Sequence, residues 1–146
     1  MKIIGFNLDK IEAAKKKPAT GKISLNAGID IKDISSAKIN ISDSPSLKFD
    51  FQFNLIFEPE MASIILSGTI ITLADKEEEK SILEEWKNKK FTHKSKLGLF
   101  NFIMEKCTFK ALQLEEDLGI PFHIPFPKLK AQKSDSKETN PANYAG

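Results

Sequence analysis

Apolar and polar residues alternate at period two over the clearest stretches of this chain. In "LKFDFQFNLIF", Leu47, Phe49, Phe51, Phe53, Leu55 and Phe57 all fall on one face, the pattern of a strand with one buried side. "MASIILSGTIITL" follows as a second strand after the short link "EPEM". So short a link forbids a crossover, so the two strands pair antiparallel. Gly68 inside the second strand predicts a bulge or a close approach by another element. Earlier, Ile23, Leu25, Ala27, Ile29 and Ile31 alternate with polar or small residues and predict a half-buried strand. Residues 34–46, rich in Ser and Asp, read as a connection with a short extended piece at Ile39 and Ile41. Residues 3–14 stay open between helix, from the Glu-Ala-Ala end, and strand, from the alternation of Ile4, Phe6 and Leu8.

The period changes at Asp75. "DKEEEKSILEEWKNKK" places Asp75 at an N-cap with Glu78 three residues on, acids in the first turn and lysines in the last. This is the charge order that the helix dipole favours. Its apolar side is only Ile82, Leu83 and Trp86, which predicts a thinly anchored surface helix. A second helix is predicted over roughly 95–117, with Phe100, Ile103, Met104, Cys107, Ala111, Leu114 and Leu118 along one stripe. Leu99, Phe102, Phe109 and Leu112 lie off that stripe, so the apolar arc is wider than one sheet face requires. A helix apolar on more than one side must be covered on more than one side. A second copy of the chain would cover it, with Leu99, Phe102, Phe109 and Leu112 at the interface. The alternative is that the Trp86 helix and the segment after residue 118 wrap it within one chain.

That segment, "LGIPFHIPFPKLK", alternates prolines with Ile120, Phe122, Ile124 and Phe126. Proline supplies no amide to a ladder and breaks a helix, so the segment is extended without regular pairing. Its apolar side chains either mark a partner or client site or close over the core as a lid. From residue 131 the composition turns polar and small, which predicts a disordered tail over 131–146 after one domain spanning 1–130.

Composition narrows the chemistry. At 146 residues the chain can bury about two thirds of its unfolded surface and needs no metal or disulfide staple. The single cysteine, Cys107, has no partner thiol, and His93 and His123 lack ligand spacing, which argues against a structural metal. Cys107 reads as packing material, His93 as a solvated loop residue and His123 as a satisfied histidine. Without a phosphate loop, an acidic metal cluster or a paired-carboxylate motif, the chain is not expected to be an enzyme. Its 22 basic residues are all lysine against 20 acidic ones. Lysine clusters at 15–17 and 87–96 are the argument for RNA or the ribosome. The lack of arginine, and of an aromatic-basic motif on the strands, argues against nucleic acid. The opening apolar run is too short for a signal peptide, and no eighteen apolar residues run together, so a soluble, cytoplasmic protein without membrane insertion is expected.

The order of elements resembles the SecB-like export chaperones. That family opens with a strand of pattern Phe-x-aliphatic-x-x-Ile, matched by Phe6, Leu8 and Ile11 in "FNLDKI". "GKISLNAGIDI", "LKFDFQFNLIF" and "ASIILSGTIIT" would supply three more antiparallel strands, and "LFNFIMEKCTFKALQLEEDLGIPFHIPFP" its long cysteine-containing helix and proline segment. The resemblance covers about residues 4–130. It implies an α+β fold with a four-stranded antiparallel sheet followed by two helices, and an opening segment that is strand. It also implies a dimer of dimers, no cofactor and no ATP, and an ATP-independent holdase for unfolded or nascent polypeptides in export or for a dedicated client. The resemblance makes Ile120, Phe122, Ile124 and Phe126 the wall of a client groove. Two departures stand out: the slight basic excess argues against a SecA motor as partner, and no further helix is expected after the proline segment.

Overall fold

The computed structural model describes residues 1–18, 20–39 and 43–131. Four strands, β1 (Lys2–Lys15), β2 (Ser24–Ala37), β3 (Ser46–Glu58) and β4 (Ala62–Leu73), are followed by helices α1 (Lys76–Lys87) and α2 (Lys96–Leu118). The strands form one antiparallel sheet in the order β1-β4-β3-β2. The architecture is the α+β one expected: a four-stranded antiparallel sheet followed by two helices.

Strands β3 and β4 occupy the centre because both carry an unbroken apolar face. Leu47, Phe49, Phe51, Phe53, Leu55 and Phe57 on β3 are buried, as are Ile64, Leu66 and Ile70 on β4. Burying each such side chain stabilises the fold by about 1.5–3 kcal/mol, and both helices pack on this one face. The opposite face carries Asp50, Gln52 and Asn54 on β3 and Thr69 on β4, where the Thr69 hydroxyl lies 2.9 Å from Asp9 and 3.2 Å from Asp50.

The opening segment is strand, as the family resemblance implied, and its bulges explain why local signals left it open. The pairing slips between Ile3 and Gly5 and again between Leu8 and Lys10. Ile3, Phe6, Leu8, Ile11 and Ala13 therefore lie opposite the inner-facing positions Thr72, Ile70, Gly68, Leu66 and Ile64. Two of those intervals are three residues long, a spacing that imitates a helix.

Strand β2 departs from the expected boundaries for the same reason. A register shift between Ile31 and Asp33 carries the inner face from Ile31 to Ile34, opposite Phe51 and Phe49, and the strand continues to Ala37. Residues 34–37 are thus strand and not connection, and Ile34 belongs to the core at 4% exposure. Ile39 lies in no strand, while Ile41 and the expected tail from residue 132 onward fall outside the described residues. At Gly68 both expected features occur: the β1 bulge faces it, and the Asn7 carbonyl and the Phe51 ring leave no room for a Cβ.

Helix α1 is capped as its sequence predicts, with the Glu78 N–H donating to the Asp75 carboxylate at 2.7 Å. Ile82 is buried, Leu83 and Trp86 are half-buried, and the Trp86 indole N–H donates to Asp33 on β2 at 3.3 Å. Helix α2 packs against all four strands. Its buried line is Leu99, Ile103, Cys107, Ala111 and Glu115, rotated from the expected stripe. Leu99 faces the core and Met104 is 44% exposed. The wide arc itself is real: Phe102 meets Phe6 edge-on at 5.8 Å on one flank, Phe100 and Leu114 are half-buried, and Phe109 and Leu97 stand in the open.

Candidate functional site

The proline segment begins where α2 stops. Gly119 takes the left-handed conformation, φ 64°, that ends many helices, and the Ile120 N–H donates back to the Glu115 carbonyl at 3.0 Å. This turn folds Ile120 into the core at 5% exposure. Of the four residues expected to bind clients, Ile120 is therefore an anchor. The other three stand outward: Phe122 is 42%, Ile124 39% and Phe126 48% exposed. Phe122 and Phe126 lean on each other with ring centroids 4.8 Å apart. That contact gives the exposed surface a fixed aromatic ridge.

His123, between these side chains, points the other way. Its ring is edge-on to Phe53 of β3 at 6.5 Å, and its Nδ1 lies 2.8 and 2.9 Å from the two carboxylate oxygens of Glu115. The His123 N–H donates to the same carboxylate at 3.2 and 3.3 Å. The segment is unpaired, as expected, but it is bent at His123 and Ile124 instead of extended, which is what brings the Phe122 and Phe126 rings together. It is held from beneath at Ile120 and His123 while its phenylalanines face solvent. The satisfied histidine expected here is satisfied at one nitrogen, since Nε2 is buried without a partner among the described residues. Glu115 escaped the sequence reading. A stripe phased on Leu99 at every fourth residue would have placed this acid at a buried position.

The four residues expected at an oligomer interface separate in the same way. Leu99 is in the core, Phe102 and Leu112 are half-buried, and Phe109 is 63% exposed. Met104 and Leu97 are also exposed on α2, but on a different side of the helix from Phe109. Cys107 is fully buried and its thiol is pushed up to about 12 by loss of solvent, the opposite of what a nucleophile requires. His93 is half-buried and not merely solvated: its Nδ1 lies 2.6 Å from the Ser95 hydroxyl and accepts from the Ser95 N–H at 3.2 Å. Among the described residues no three His, Cys, Asp or Glu side chains gather as a metal would require, and no helix is long and apolar enough to cross a membrane.

No protein-family model matches the chain, and no curated protein matches its sequence. Among solved structures, the chain is similar to the SecB-like chaperone of Mycobacterium tuberculosis, determined in complex with a ChAD peptide from the HigA1 antitoxin. The TM-score is 0.54 at 11% identity, over 88% of this chain and 89% of that one. The fold is thus SecB-like in the arrangement of its sheet and helices.

Proposed function

We propose that the protein is a holdase-type molecular chaperone that binds unfolded or nascent polypeptide segments through apolar and aromatic side chains. It needs no cofactor or ATP and releases clients by affinity alone. The observation that carries this reading is the Phe122–Phe126 pair, two touching aromatic rings that are each near half exposed on a backbone fixed from below. Such a ridge gains by burial against any apolar side chain, whatever the sequence around it. The likeness to a peptide-bound chaperone supports the reading at the level of fold. Phe122, Ile124 and Phe126 make the client contacts, and Ile120 seats the segment.

The outward side of α2 fits a second copy of this chain, giving a dimer or a dimer of dimers. Phe109 is its most exposed aromatic group, flanked by the half-buried Phe102 and Leu112. Leu99 is withdrawn from that surface. The net charge of +2 does not suit an acidic docking face for a SecA-type motor, so the receiving partner is of another kind. The setting is the cytoplasm, in export or in service of one dedicated client.

The test is aggregation. A reduced or heat-unfolded model client should stay in solution longer when the protein is present at near-stoichiometric ratio, and unchanged aggregation would sink the proposal. RNA binding that weakens steeply with added salt would favour a nucleic-acid role for the lysine clusters instead.

A further inference from the structure

Glu115 continues a line whose other members, Leu99, Ile103, Cys107 and Ala111, are small or apolar. Its side chain has no exposure, and its charge sits in the last turn of α2, where the helix dipole disfavours an acid. Burying a carboxylate is costly unless hydrogen bonds compensate it. Among the described residues the donors to this carboxylate are the backbone N–H and the ring Nδ1 of His123. Both donors come from the proline segment and none from the sheet.

The other side of the contact is also incomplete. His123 Nε2 is buried and has no partner among the described residues. Pro121, Pro125 and Pro127 have no amides, so the backbone here lacks the means to join the sheet by a ladder. The seated segment thus covers two polar groups that water would solvate better, an acid at the wrong end of a helix and an imidazole nitrogen without a mate. Lifting it hydrates both at once, while Ile120 remains tied to α2 through its own N–H. The opposing term is the apolar contact of the His123 ring with Phe53 and the two bonds to Glu115.

We propose that residues 121–126 form a strap fastened reversibly to α2 by the Glu115–His123 contact, and that unfastening it bares the inner face of the sheet at Phe53. The strap goes beyond the client-binding reading and does not depend on it.

Amide hydrogen exchange tests the strap without any client. In the unaltered protein, the His123 amide should exchange through an opening that is nearly independent of urea, whereas the Phe53 and Leu66 amides should follow the denaturant-sensitive global unfolding. A shared denaturant slope would overturn the proposal, because the segment would then open only with the core. Glu115→Gln keeps the shape and removes the charge. It should speed exchange at His123 by about tenfold, the loss of a charge-assisted hydrogen bond, with the β3 and β4 amides unchanged and bis-ANS uptake increased. An unchanged His123 amide, or one accelerated only in step with β3 and β4, would also overturn it.

Discussion

The ring of Phe51 lies directly over Gly68, so that a Cβ added to the glycine would stand 2.9 Å from the ring and closer still to the carbonyl of Asn7. Both neighbours are fixed, the ring by full burial in the core and the carbonyl by the β1 ladder. Gly68→Ala must therefore push β1 from β4 or displace Phe51. It should destabilise the domain by about 1–3 kcal/mol, as overpacking does, measured by urea denaturation. A neutral effect would mean that β1 is far more compliant than its pairing suggests.

The phenylalanines of the proline segment should separate binding from stability. Because Phe122 and Phe126 are 42% and 48% exposed, replacing both with serine should change the unfolding free energy by only about 1 kcal/mol. Client protection in an aggregation assay should fall sharply. A collapsed melting temperature would instead make the segment a lid on the core.

Helix α1 hangs on few contacts, and they differ in kind. Ile82 is fully buried, so Ile82→Ala should cost about 2–5 kcal/mol. Asp75 acts at the surface. The Glu78 N–H it accepts holds its carboxyl below the ordinary 3.8, so its support is present above that value and is lost as pH falls through the depressed one. Asp75→Ala should lower the melting temperature at neutral pH and have little effect in acid. The same drop at both pH values would show that the cap contributes by something other than its charge.

Cys107 should be silent toward thiol reagents. With its thiol raised from 9.0 to about 12 by burial, almost no thiolate exists at pH 8, and the group is shielded as well. Ellman titration should find no reactive thiol in the native protein and one after denaturation. The unfolded chain ionises above about 9 while the folded one does not, so this group erodes stability as pH climbs from 9.0 toward 12. Rapid labelling of the folded protein at pH 8 would contradict the burial.

Fold and site were legible in the sequence wherever the chain keeps a regular period. The face of β3, the turn into β4, the Asp75 cap and the unpaired proline segment follow from spacing and from what proline and glycine permit, whereas the sequence left Phe122 and Phe126 open between a groove wall and a lid on the core. Regularity failed where another strand or helix set the phase. Bulges in β1 and β2 shift the inner face by one residue, which hid the first strand and cut the second short at Ile31. On α2, apolar residues occupy so much of the circumference that composition alone does not say which line faces the sheet. Seating the helix across four strands selects Leu99, Ile103, Cys107 and Ala111 and turns Met104 outward.

By itself the sequence determined the alternation that makes a one-sided sheet, the two helices and a proline segment unfit for regular pairing, because these depend on neighbours a few residues apart. Only the tertiary structure decided that Ile120 is an anchor and that Glu115 and His123 meet. A side chain's burial and a carboxylate's partner depend on which distant surfaces the folded chain brings over it, and no local pattern carries that information.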